Sequence, residues 1–231
     1  MYTQDDYEKL TEAVSKIKLI EDKNDTMGNY KNAVLICMDA VLSINRKYYS
    51  FVVPRIKKFQ EDHPKINTLF KLQELINNSS IEDFSKMWNY NHPQRIEILS
   101  NLVDRLIVCA NLKEFDSTEK ELDKLRIWAS KVNVYDYDTF NVPGIGIATY
   151  QYIRMMLGAK TVKPDVYIKR YIYSVLGKKI NEKDLVDIFE KACNSNNIDV
   201  SQADHSLWMQ NAKDVNVQFV WEKNKWISKK N

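Results

Sequence analysis

Apolar residues recur along this chain at helical rather than strand spacing. Between residues 5 and 21, Tyr7, Leu10, Val14, Ile17 and Leu19 are apolar at near-helical intervals, and the polar run from Lys23 to Asn29 ends the pattern. A longer helix is predicted from Tyr30 to about Ser43, carried by Val34, Ile36, Cys37, Ala40 and Val41. Pro54 stands near the start of a segment from Val52 to Phe59 that His63–Pro64 closes, and the next helix, about 65–77, runs into Asn77–Asn78–Ser79–Ser80. Ser80 with Asp83 three residues on, Pro93 ahead of Arg95 to Asn111, and Ser117 ahead of Glu119 to Val132 read as three further helix starts. Leu122, Leu125, Trp128 and Ala129 share one face of the last. Helices are also expected at about 165–176, 182–193 and 201–213. Only Val215 to Trp221 alternates as a strand would, and the lysine-rich end from Trp226 to Asn231 is expected to fray. The predicted fold class is all-α.

Composition narrows this picture without naming a function. A chain of 231 residues, 44% hydrophobic and 28% charged, can bury one large core or two modest lobes around a cleft. The acidic, polar start and the lack of any uncharged apolar run near the roughly 20 residues of a membrane span predict a cytoplasmic protein with no membrane partner. Cys37, Cys109 and Cys193 are too scattered for a disulfide framework or a metal cluster, and His63, His92 and His205 lack metal-ligand spacing. No nucleophile elbow and no phosphate-binding P-loop is present. The net charge of +3 admits a polyanion partner but does not imply one.

Glycine and proline are the uneven ingredient. The chain has 5 of each, yet Pro143, Gly144, Gly146, Gly158 and Pro164 fall in one segment. Pro143–Gly144–Ile145–Gly146 predicts a tight hairpin between a short helical piece, Tyr137 to Asn141, and a helix from Ile147 to Leu157. The amides of Gly144, Gly146 and Ile147 would then lie at a helix start, where backbone N–H groups and the helix dipole favour a phosphate. A plain corner whose glycines only permit close packing is the alternative. Gly158 ends the second helix, and Lys163–Pro164–Asp165 opens a third. Asp165 reads either as a helix cap or as a fixed carboxylate, and one residue can serve as both. Between Gly146 and Lys179 it is the only acidic residue, among Lys160, Lys163, Lys169, Arg170 and Lys178.

Val142, Pro143, Gly144, Ile145, Gly146 and Thr149, followed by Asp165 and Arg170, resemble the signature of the helix-hairpin-helix DNA glycosylases, the superfamily of the endonuclease-III-like, adenine-mismatch and alkylpurine enzymes. The stretch from Val41 to Pro64 is more faintly similar to that family's upstream helix–loop–helix. The resemblance implies a two-lobed all-α fold with a cleft, one lobe spanning 30–159 and the other 1–29 with 160–231. It implies a monomer bound to double-stranded DNA and a monofunctional N-glycosylase that removes a modified or mismatched base by flipping it out. Asp165 would be the catalytic carboxylate, stabilising an oxocarbenium-like sugar. Val142, Gly144, Gly146, Ile147, Thr149, Asn45, Arg46, Lys163 and Arg170 would meet DNA, with Asn45 the wedge. Met38, Asp39, Trp128, Tyr150 and Tyr152 are base-pocket candidates, although helical spacing also accounts for them as core. Ala148 stands where bifunctional members carry lysine, so no Schiff base is expected there, and Cys193 alone cannot hold an iron–sulfur cluster. No cofactor or metal is implied. Two rival readings are a DNA-binding module that has lost catalysis and a defence glycosylase acting on a normal base in a defined sequence.

Overall fold

The computed structural model describes residues 1–20, 30–211, 217–222 and 225–230. The described chain is all-helical apart from one pair of strands. Its helices are α1 (Gln4–Ser15), α2 (Ala33–Leu42), α3 (Val53–Asp62), α4 (Leu69–Asn78), α5 (Ile81–Met87), α6 (Pro93–Cys109), α7 (Thr118–Lys131), α8 (Tyr137–Phe140), α9 (Ile147–Met156), α10 (Val166–Leu176), α11 (Glu182–Ser195) and α12 (Val200–Asn211). Among the described residues no helix is long and apolar enough to cross a membrane.

The chain divides into two compact units. One is drawn from the described parts of Met1–Asn29, Ala129–Thr139 and Gly146–Ala212, the other from Tyr30–Trp128, Phe140–Ile145 and Lys213–Asn231. In this division Ala129–Thr139 and the described part of Gly146–Ala212 group with the amino terminus. The chain crosses between units inside the hairpin itself, between Ile145 and Gly146.

In the amino-terminal unit α1 packs on α10 and α11, and α12 covers the same two helices. Leu10 and Val14 of α1 join Ile168, Ile172, Leu185, Phe189, Ala203 and Leu207 in one buried cluster. Tyr7 and Ile17 pack at its margin as their spacing predicted, whereas Leu19, beyond the last helical residue, is 38% exposed. In the central unit α6 is the pillar against which α2, α4 and α5 pack, through Leu99, Leu102, Val103 and Leu106. All ten residues of α2 are buried, as an almost uniformly apolar helix requires.

The carboxy-terminal expectation is corrected. Strands β1 (Val217–Glu222) and β2 (Lys225–Lys230) pair antiparallel, Val217 opposite Lys230 and Trp221 opposite Trp226, so the segment expected to fray completes a ladder of backbone hydrogen bonds. The predicted break at Lys23 to Asn29, and Val215, Asn216 and Asn231, lie outside the described residues.

Candidate nucleic-acid interface and its carboxylates

The hairpin is built by two buried anchors and an exposed tip. Val142 and Ile145 are buried, Pro143, Gly144 and Gly146 are exposed, and the Ile145 N–H closes the turn on the Val142 carbonyl at 3.1 Å. The two glycines have different reasons to be glycine. Gly144 has φ +81°, and a Cβ there would sit 2.4 Å from Ile98 Cδ1, so the turn and its packing on α6 both demand it. Gly146 is extended at φ −87° and ψ 173°, and an added Cβ would meet nothing within 4 Å. Nothing among the described residues requires a glycine at 146.

Gly146 is the N-cap of α9 and offers no side-chain acceptor. The first intrahelical bond is Tyr150 N–H to the Gly146 carbonyl at 2.9 Å, so the amides of Ile147, Ala148 and Thr149 precede the ladder. Other long helices treat this end differently. Side chains of Thr3, Asn32, Thr68, Asp165 and Asn181 cap α1, α2, α4, α10 and α11. Ser117 and Asp199 accept first-turn amides of α7 and α12, and α3 and α6 carry a proline there. Among the described helices of ten residues or more, α9 alone has neither device.

The same face of α6 holds a second loop singled out from sequence. Arg95, one turn before Ile98, donates to the Ile44 carbonyl at 3.2 Å, which brings the Ile44–Asn45–Arg46 turn alongside the hairpin tip. Asn45 is exposed with φ 56°, a left-handed conformation asparagine tolerates, and Arg46 is exposed beside it. Val142, Gly144, Asn45 and Arg46 therefore belong to the central unit, while Gly146, Ile147, Thr149, Lys163, Asp165 and Arg170 belong to the other.

In the amino-terminal unit Asp165 caps α10: its Oδ1 accepts the amides of Tyr167 at 2.8 Å and Ile168 at 3.2 Å. The capping role is thus realised, and among the described residues no donor meets Oδ2. Asp165 is half-buried, Arg170 is exposed, and Lys163 Nζ lies 3.8 Å from the centre of the Tyr152 ring. Asp204 of α12, which sequence reasoning missed, accepts the Lys163 N–H at 3.0 Å and ties down the turn that presents Asp165. Burial, and after it the negative charge of Asp165, push the Asp204 carboxyl up to about 8. The signal available in the sequence was a lone aspartate between Ala203 and Leu207 on the inward face of a helix. Asp165 at the cap and Asp204 in the interior are thus two carboxyl groups held in different surroundings on one turn.

The base-pocket candidates are interior side chains. Met38, Asp39, Tyr150 and Tyr152 are at most 2% exposed and Trp128 is 9% exposed. Trp128 stacks on Phe140 at 5.6 Å, and the Tyr150 hydroxyl donates to the Asn133 carbonyl at 3.1 Å. Asp39 is the polar hub of an apolar helix, accepting from the hydroxyls of Ser43 at 2.7 Å, Tyr48 at 3.1 Å and Tyr30. Burial fits the packing explanation of all five, because apolar spacing does not separate a core face from a pocket wall. Ala148 lies in the first turn of α9, and no lysine stands there. Cys37 and Cys193 are buried and Cys109 partly so, and burial pushes the Cys193 thiol up to about 12. Among the described residues no three histidine, cysteine or acidic side chains are placed to hold a metal.

Fold and site together define a helical protein with an open, uncapped helix start after a tight turn. The chain belongs to the DUF8548 family, a domain of unknown function, whose family model matches residues 8–212. No curated protein and no solved structure matches it.

The two glycines should separate in stability. Gly144→Ala is expected to cost about 2–4 kcal/mol, from backbone strain plus overpacking on Ile98, and Gly146→Ala less than about 1 kcal/mol; urea unfolding measures both, and equal losses would contradict the assignment. Asp204 makes a pH prediction. Because its pKa is raised in the folded state from 3.8 to about 8, its contribution is full below the lower value and is lost as pH rises between the two. Asp204→Asn keeps the acceptor for Lys163 and does not titrate, so the parent should lose stability relative to this variant from pH 4 to pH 8. A gap independent of pH would show that Asp204 is ionised throughout.

Proposed function

We propose that this chain is a monofunctional DNA N-glycosylase, binding duplex DNA as a monomer and removing a modified or mismatched base. The observation that carries the reading is Gly146. It is exposed, extended and free of neighbours, and it begins the one long described helix without a built-in acceptor. A residue that the fold leaves unexplained is explained by a partner that must approach the backbone closely. A phosphate supplies the missing acceptor for the first-turn amides and is favoured by the helix dipole. Such contacts fix position on the duplex without reading bases.

Asp165 supplies the chemistry. An N-glycosidic bond breaks through a sugar with oxocarbenium character, which an ionised carboxylate beside C1′ stabilises directly or by orienting water. Its Oδ1 is held by two amides, and Oδ2 remains for the substrate. Lys163 and Arg170, on the same segment, add positive charge for the strand. A second reading, a binding module without excision, is favoured by the burial of Met38, Asp39 and Tyr150. Activity decides between the two.

The test is a panel of duplex oligonucleotides carrying uracil, hypoxanthine, 8-oxoguanine or methylated purines, incubated with the chain and developed with alkali. Excision from at least one duplex is expected, and Asp165→Asn should remove it at least 100-fold while keeping DNA affinity, a loss typical of a missing transition-state charge. Loss of stability in step with activity would leave capping as the only role of Asp165. Gly146→Ala should weaken binding to all sequences alike. The product should be an intact abasic strand, because an alanine at 148 cannot attack C1′. Borohydride should therefore trap no protein–DNA adduct, and a trapped band abolished by Lys163→Ala would overturn the monofunctional assignment.

A further inference from the structure

The central unit carries two arginines stacked on one aromatic ledge with no counter-charge. α3 is entered through a π-helical turn, Tyr48–Val52, in which the Val53 N–H reaches back to the Tyr48 carbonyl; such turns recur at functional sites. The Arg55 guanidinium lies 3.6 Å from the centre of the Phe51 ring and that of Arg46 5.4 Å from the same centre. Both are 5.8 Å from the Tyr90 ring, which meets Phe51 edge-on at 5.0 Å. Arg55 is fixed by bonds to the Asn89 and Phe51 carbonyls, each 2.8 Å, and Arg46 by a 2.9 Å bond to the Tyr90 hydroxyl.

Every one of those acceptors is neutral. Among the described residues neither arginine makes an ion pair, although the unit has many carboxylates and Lys58, Lys86, Lys120 and Lys124 all find one. Burial, and beyond it the charge of Arg46, hold the Arg55 guanidinium below its ordinary pKa, so the two cations stand against each other. Two like charges on one ring cost free energy unless an anion joins them. Stacked guanidiniums with unused N–H groups suit an oxyanion that accepts from both. The position of the pair indicates which oxyanion: Arg46 follows the turn that Arg95 pins to α6, one helical turn from the Ile98 beneath the hairpin tip.

We propose that Arg46 and Arg55, on the Phe51–Tyr90 ledge, form a seat for a backbone phosphate of a bound DNA strand, beside the exposed Gly144 turn of the same unit. This rests on the reading of the chain as a duplex-binding protein, but the seat uses residues that the hairpin does not. Binding of the full chain to a labelled duplex is measured by fluorescence anisotropy across a salt series, for the parent, Arg46→Gln, Arg46→Lys and Arg55→Gln.

Arg46→Gln should bind about 5- to 10-fold more weakly at low salt, with the slope of log affinity against log salt less negative by about 0.9, one phosphate contact fewer. Arg46→Lys should keep the slope yet still bind more weakly, having the charge without the planar fork. Arg55 also holds two carbonyls, so its variant is scored only at matched melting temperature; Arg46 is exposed and decides the matter. Parent affinity and slope in Arg46→Gln would overturn the proposal. So would inorganic phosphate raising the parent's melting temperature while the substitution leaves duplex binding unaltered, since the pair would then serve a small anion. Displacement of the duplex by polyglutamate as efficiently as by unlabelled DNA would likewise overturn it in favour of an acidic protein. Loss of binding in Gly146→Ala but not in Arg46→Gln would sink this seat alone, and the reverse pattern would sink the hairpin reading alone.

Discussion

An all-helical chain must dispose of the amides at every helix start, and this one does so with a side chain or a proline at nearly every long helix. Leaving first-turn amides without partners costs free energy, and capping by Ser, Thr, Asn or Asp recovers about 1 kcal/mol at each end. Two devices suffice among the described long helices, and α9 uses neither. Water satisfies such amides at an exposed end, so the fold tolerates the omission. The omission acquires meaning from its neighbours. The residue that withholds the cap is glycine, the preceding turn depends on positive φ at Gly144, and the tip is exposed. The turn itself rests firmly on Ile98.

Buried carboxylates provide the complementary rigidity. Asp39 gathers three hydroxyls within α2 and its surroundings, and Glu121 of α7 accepts the Leu69 amide with both oxygens, at 2.9 and 3.0 Å, where α4 begins. Asp204 does the same for the segment ahead of α10. Each replaces water around a group that is costly to bury and fixes a chain segment by doing so. Burial pushes Glu121 up to about 7 and Asp204 to about 8, so both approach neutrality within the physiological range. Asp165 differs: it is half-buried and it caps a helix.

Much of this was legible in the sequence because helices announce themselves locally. Apolar spacing located Leu10 and Val14 in the core, Ser80 and Asp165 were recognisable as caps, and Gly158 as a helix end with φ +91°. What depended on distant contacts was not legible. Spacing could not tell whether Met38 or Tyr150 faced a core or a pocket, since both surfaces are apolar. It could not foresee that Ala129–Thr139 joins the amino-terminal unit, because the chain leaves and re-enters that unit within a few residues. Tyr90 is 44 residues from Arg46, and Asp204 is 41 from Lys163; no local pattern links either pair. The strand β2 was hidden by its lysines, whose high charge reads as solvated chain even where the backbone pairs.

Asp165 stands where helix capping and the proposed chemistry meet. A cap and a catalytic carboxylate make compatible demands: both want the group ionised, fixed and near the positive end of a helix dipole. The amides of Tyr167 and Ile168 stabilise negative charge and hold one oxygen in place, which limits the motion of the other. A carboxylate meant to steady a transient sugar cation gains from this rigidity, because no reorganisation is needed when the charge develops. On the glycosylase reading proposed above, a carboxylate held in this way is suited to electrostatic stabilisation and to orienting water. Hydrolysis with a poor leaving group would need acid help from elsewhere, whereas a base already labile by protonation or alkylation would not. On that reading, the capped geometry of Asp165 would favour substrates whose base departs readily once the sugar cation is supported.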